Sequence, residues 1–199
     1  MVKMKGRKKL YVASTNKHKI DEIKFIIRKI LGDEIEIDIA PFNAKVEIQD
    51  DDLKKIVLYS ASILMAVNDK RPIIVEDSGL FIEALNGFPG PYSNYVYRTL
   101  GPKGILKLMD GVPKRNAFFK CVAACICNDD NILVEEGVVK GSIAHEIRGS
   151  GGFGFDPIFI PQGYSKTFSE LPEQVKNEIS HRALAIRALI VSMEKRGYL

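Results

Sequence analysis

The sequence predicts an α/β fold: a mixed central β-sheet flanked by helices, in two lobes with a cleft between them. The first half alternates short apolar runs with stretches of helical period, in the order β-α-β-α-β. Two long strand-like runs, Asn116–Cys127 and Ile132–Ile143, then flank the turn Asn128-Asp129-Asp130-Asn131 and read as a hairpin. A glycine-rich loop and a closing helix complete a chain whose 199 residues suit one domain, 1–199.

Each element has a local reason. Leu10, Tyr11, Val12 and Ala13 read as a buried strand, and Ile20, Ile23, Ile27 and Ile30 recur at helical spacing from Lys17 to Leu31, where Gly32 ends the helix. Glu34–Ile39 alternates charged and apolar residues, as a half-exposed strand does, and a loop runs through Pro41 and Asn43 to Gln49. Asp50-Asp51-Asp52 supplies carboxylates to the start of a second helix, whose expected buried stripe is Leu53, Ile56, Val57, Ser60, Ile63, Leu64 and Val67. Ile73-Ile74-Val75 is a short buried strand expected to end in Glu76-Asp77-Ser78-Gly79. Tyr92–Met109 holds one or two short helices broken near Gly101-Pro102. Ile158-Phe159-Ile160 is a short strand, and the last helix runs from Ser180 to Arg196 with Ala183, Ile186, Ile190 and Met193 inside.

Composition narrows the function classes. With 46% apolar and 27% charged residues the chain is an ordinary globular one. No apolar run approaches the ~20 residues that span a bilayer, and the basic N-terminus lacks a secretory apolar core, so a cytoplasmic protein without a membrane partner is expected. The net charge of +4 comes from dispersed lysines, which argues against a nucleic-acid partner. Cys121, Cys125 and Cys127 share strand parity and lack a histidine at zinc spacing, so they read as reduced core thiols.

Chemistry concentrates in a few segments. Ser14-Thr15-Asn16-Lys17-His18-Lys19 joins a strand to a helix N-terminus, where free N–H groups and the dipole favour an anion such as a triphosphate. Glu76 and Asp77 at a strand end can hold a hard cation or accept a proton from water, and Glu47 could join them around magnesium. Gly151-Gly152-Phe153-Gly154-Phe155-Asp156-Pro157 combines close backbone approach, rings that can stack on a base, and an acceptor for a ring N–H. Lys176 and Arg182, with His181 beside them, offer donors to carbonyl or phosphate oxygens. A stacking platform for nucleic acid at Phe153 and Phe155 is the reading from another class, but it leaves Glu47, Glu76 and Asp77 unexplained.

Together these segments resemble the inosine/xanthosine triphosphate pyrophosphatase family. The resemblance also rests on Gly87-Phe88-Pro89-Gly90-Pro91-Tyr92-Ser93, Lys166-Thr167-Phe168-Ser169-Glu170-Leu171 and Lys176-Asn177-Glu178-Ile179-Ser180-His181-Arg182, in the family's order. It implies a homodimer of elongated α/β subunits, each with an elongated central β-sheet, that hydrolyses non-standard purine nucleoside triphosphates (ITP, dITP, XTP) to the monophosphate and pyrophosphate with Mg²⁺. It implies that Ser14, Thr15, Asn16, Lys17, His18 and Lys19 hold the phosphates, and that Glu47 and Asp77 bind the metal. Asp77 would also be the catalytic proton acceptor, with Ser78 touching substrate. Phe153, Gly154, Phe155 and Asp156 would hold base and ribose, and Lys176, His181 and Arg182 would complete the base pocket. Two positions depart from the pattern. Val46 stands where some relatives have proline, and Asn94 where some present lysine to the phosphates, which leaves that charge to Lys17 or another cation. A related group acting on modified pyrimidine triphosphates is the nearer alternative.

Overall fold

A computed structural model describes residues 8–40 and 46–199. The loop positions Pro41 and Asn43 and the start of the basic N-terminus lie outside the described residues. The strands are β1 (Lys8–Ala13), β2 (Ile35–Ile39), β3 (Ile73–Ile82), β4 (Pro89–Gly90), β5 (Asn116–Ile126), β6 (Ile132–Ile143) and β7 (Phe159–Pro161). The helices are α1 (Lys17–Leu31), α2 (Leu53–Val67), α3 (Ser93–Thr99), α4 (Gly101–Leu108), α5 (Glu173–Ile179) and α6 (His181–Lys195).

One mixed sheet runs in the order β2-β1-β3-β5-β6-β7, with β4 added beside β3. β1 is parallel to β2 and β3, whereas β5, β6 and β7 follow as antiparallel neighbours. Side chains alternate across β5. Cys121, Ala123, Cys125 and the following Cys127 join α1 and α6 in one buried cluster, while Val122, Ala124 and Ile126 pack with α2 on the other face. A further cluster unites the distal ends of β3 and β5 with α3, α4 and the aromatic rings of Phe155, Phe159 and Phe168.

Caps account for the helix starts. Asn16 Oδ1 accepts from the N–H groups of His18 and Lys19, at 3.0 and 3.4 Å, and Asp52 Oδ1 accepts from that of Lys54 at 2.8 Å. The acidic run is therefore a cap. Ser180 caps α6 by accepting from the N–H of Ala183.

The structure corrects several expectations. Ile30 is exposed and Ile26 takes its place inside α1, because successive helical residues turn by about 100° and the core reaches α1 from the Ile26 side. In α2, Ala61 is buried while Ile63 and Val67 are not, so the stripe is narrower than the apolar residues suggested. β3 does not stop at Val75 but runs on to Ile82, because β5 pairs with it along the whole length. Helix α5 precedes α6 as a separate element.

Candidate active site

The overlong β3 explains where the cleft lies. β1 accompanies it only as far as Ala13 opposite Val75, and β4 joins it at Leu80 and Phe81. Glu76–Gly79 therefore lie in the gap between these two neighbours, with β5 on the other side. Glu76 and Asp77 thus sit within a strand and not at its carboxyl end. The end that matters is that of β1, from which the chain turns through Ser14–Asn16 into α1.

A cavity of about 420 Å³ opens there. Its wall includes Ser14, Thr15, Asn16, His18 and Lys19 from the β1–α1 junction, and Asp77 and Ser78 from β3. Glu47 lies on the same wall, as do Phe153, Gly154, Phe155 and Asp156 from the glycine-rich loop and Lys176, His181 and Arg182 from α5 and α6. Segments distant in sequence are thus gathered around one space. Lys17 is the exception: it is exposed and does not line the cavity. The first turn of α1 aims the next two residues inward and Lys17 outward. The N–H groups of His18 and Lys19 are already taken by Asn16, so they are not free for an anion as the sequence suggested.

Behind the wall lies a buried ionic network. Lys19 Nζ is 3.0 Å from Glu76 Oε1 and 3.4 Å from Asp77 Oδ1. Lys176 Nζ is 2.5 Å from Asp156 Oδ2 and 2.7 Å from Glu22 Oε1. Arg182 donates to Glu22 Oε2, to Ser78 Oγ at 2.8 Å and to Glu76 Oε2 at 3.5 Å. Cys121 Sγ donates to the same Glu76 oxygen at 3.3 Å. Burial disfavours every one of these charges, and the partners decide the outcome. Burial would raise the Glu22 carboxyl, but the charges of Arg182 and Lys176 outweigh it and hold the pKa low. Burial would lower Lys176, but Asp156 and Glu22 keep it raised. Burial pushes Asp156 up, with Lys176 opposing. Burial, then the charges of Arg182 and Lys176, hold His181 well below the usual imidazole range, so it is neutral at neutral pH.

Glu22 is the residue that the sequence motifs do not mark. Its signal was available: it lies one helical turn from Lys19 and beside Ile23 and Ile26, on the buried side of α1, where an unpaired carboxylate would be costly. Two glycines hold the geometry. A Cβ on Gly152, which has φ +69°, would stand 2.2 Å from Asp156 Oδ2. A Cβ on Gly137 of β6 would stand 2.1 Å from the carbonyl oxygen of His181, so its absence lets α6 seat against the sheet.

The far end of the cavity is aromatic. Phe153 stacks on His18 with centroids 5.2 Å apart, and Lys176 Nζ lies 4.6 Å from the same ring centroid. The His18 ring thus stands beside Phe153 in the cavity lining. His181 stacks on Phe119 at 4.7 Å. Asp156 Oδ2 also accepts from the N–H of Phe153 at 2.8 Å, which ties ring to carboxylate.

The cavity sets a flat ring face at Phe153 and polar groups at Ser14, Asn16, Lys19 and Asp77 on one wall, a combination that a nucleotide can meet. Glu47 and Asp77 on that wall are carboxylates that can accept a proton from water or hold a cation, which is the chemistry of a nucleotide hydrolase. Residues 10–192 match the model of the Ham1 family, and the chain belongs to that family. A relative from Ignicoccus hospitalis named dITP/XTP pyrophosphatase is 50% identical over 179 residues, covering 89% of this chain and 93% of its own. One of the same name from Hyperthermus butylicus is 47% identical over 188 residues, covering 94% and 96%. The Ham1 protein of Staphylococcus aureus superposes with a TM-score of 0.78 at 28% identity, covering 95% of this chain and all of that one.

Proposed function

We propose that this chain hydrolyses non-standard purine nucleoside triphosphates (ITP, dITP and XTP) between the α- and β-phosphates, releasing the monophosphate and pyrophosphate. The observation that carries the reading is the convergence of Lys19 and Asp77, 3.4 Å apart, on the cavity wall that also bears Phe153 and Lys176.

Ser14, Thr15, Asn16 and Lys19 receive the polyphosphate at the positive end of α1. Water attacks the α-phosphorus, its proton passes to Asp77, and the bond to the β-phosphate breaks with pyrophosphate leaving. Ser78, fixed by Arg182, touches the substrate beside Asp77. The base lies against Phe153. An ammonium group has three N–H donors, and Lys176 gives two of them to Glu22 and Asp156, which leaves one for a 6-carbonyl. A 6-amino group would put donor against donor, at about 1–3 kcal/mol for each unpaired buried group.

Magnesium fits the donor set. Glu47 and Asp77 are carboxylates on one cavity wall, and Mg²⁺ takes oxygen ligands while keeping waters, so it does not need a full protein cage. Among the described residues no group of three or more His, Cys, Asp or Glu is placed to hold a metal ion. Bound at Glu47 and Asp77, the ion would supply charge neutralisation for the polyphosphate.

Two lobes flank the cleft in this reading, which the separate core cluster at the distal ends of β3 and β5 supports. The working form is a cytoplasmic homodimer. Exposed apolar side chains such as Tyr95 and Leu100 favour a face covered by a second copy, and no helix among the described residues is long and apolar enough to cross a membrane. Pyrophosphate release from ITP, dITP, XTP, GTP, ATP, dUTP and methylated pyrimidine triphosphates, with and without Mg²⁺, tests the reading. Turnover of ITP, dITP and XTP in preference to ATP and the pyrimidine triphosphates, dependent on Mg²⁺, is expected. Preference for pyrimidines, or oligonucleotide binding without hydrolysis, would contradict it.

A further inference from the structure

We infer that Arg98 binds the polyphosphate from α3; this rests on the nucleotide reading above. Among the described residues, Lys19, Arg98, Lys176 and Arg182 are the lysine and arginine side chains lining the cavity. Three of them are committed inside the protein: Lys19 to Glu76 and Asp77, Lys176 to Glu22 and Asp156, and Arg182 to Glu22 and Glu76. These cations are thus held in internal pairs, whereas the ligand brings about four negative charges of its own.

Arg98 breaks that pattern. It is exposed, it lines the cavity, and it makes no hydrogen bond or ion pair among the described residues. It lies one helical turn after Asn94, so both face the cavity from α3. The helix beneath it is fixed. Ser93 Oγ accepts from the N–H of Leu80 at 2.8 Å and donates to the carbonyl of Gly90 at 2.7 Å, and Tyr97 meets Phe155 edge-on at 5.8 Å. A guanidinium on a held helix, with its donors uncommitted, suits bidentate contact with phosphate oxygens. Asn94 contributes an amide but no charge, so the cationic character of this wall rests on Arg98.

Arg98→Ala tests the inference, with steady-state ITP kinetics and with inorganic pyrophosphate and inosine as inhibitors. Because Arg98 is exposed, its thermal midpoint should match the parent, which separates binding from folding. Expected is a rise of about tenfold or more in the KM for ITP and in the inhibition constant of pyrophosphate, with inosine inhibition unchanged. Adding Asn94→Lys to Arg98→Ala should recover pyrophosphate inhibition, since it returns a cation to the same helix face. Unchanged pyrophosphate inhibition in Arg98→Ala would overturn the inference, as would equal losses for pyrophosphate and inosine, which would mean contact with the nucleoside. If the parent enzyme cleaved no nucleoside triphosphate, the underlying reading would fall, and the role of Arg98 with it.

Discussion

Glu22 Oε1 lies 2.7 Å from Lys176 Nζ, and its other oxygen accepts from Arg182 Nη1, so a single carboxylate on α1 holds the cations of α5 and α6. Glu22 is not itself part of the cavity wall; it fixes the residues that are. Glu22→Ala would leave two buried cations short of a partner, a change that costs about 3–5 kcal/mol. A lower midpoint in urea and a raised KM for ITP are expected together. Glu22→Gln keeps the shape but not the charge, and should recover part of the stability.

Asp77 and Lys19 meet at 3.4 Å on the cavity wall. Asp77→Asn removes the proposed proton acceptor and one metal ligand, and should lower kcat by about 100-fold or more. Lys19→Ala should raise the KM for ITP and also release Glu76 and Asp77 from their shared cation. Near-parental turnover in both purified variants would refute the assigned roles.

Gly137 makes a packing prediction. A methyl group added there would stand 2.1 Å from the His181 carbonyl oxygen and 2.5 Å from the Ala185 nitrogen, both backbone atoms. Gly137→Ala must push α6 off the sheet, at a cost of about 1–3 kcal/mol. Because α6 carries His181 and Arg182, activity should fall with stability, as read by urea unfolding and ITP turnover on the same sample.

His181 gives a pH signature. Burial, with the charges of Arg182 and Lys176, depresses its pKa in the folded state, whereas the unfolded chain takes up the proton near the ordinary value of 6.5. The unfolded state therefore binds more protons below that pH, and stability falls as pH drops from about 6.5 towards the depressed folded value. His181→Asn should flatten the fall in thermal midpoint between about pH 6.5 and 5. An unchanged slope would show that another group sets it.

What the sequence made legible depended on local chemistry. Helix α1 spans Lys17–Leu31 and ends at Gly32 as predicted, and the hairpin and α6 follow from period and turn residues. The length of β3 was not legible, because Glu76 and Asp77 look like a strand end until Lys19 and Arg182 are seen to neutralise them. The helical period placed Glu22 on the buried side of α1, but not what neutralises it there, because its partners Lys176 and Arg182 are 154 and 160 positions away. Most of the proposed site residues were gathered where the motifs suggested, but Lys17 turns outward and Arg98 belongs to none of those motifs.

The decisive relationship is that one cleft should hold the base at Phe153 and Lys176 while presenting the α-phosphorus to water beside Asp77. Phosphorus NMR of ITP incubated with the enzyme and Mg²⁺ reads this out at the level of the bond that breaks. Inosine monophosphate and pyrophosphate should appear in equal amounts from the start. Orthophosphate with inosine diphosphate as the first products would contradict it.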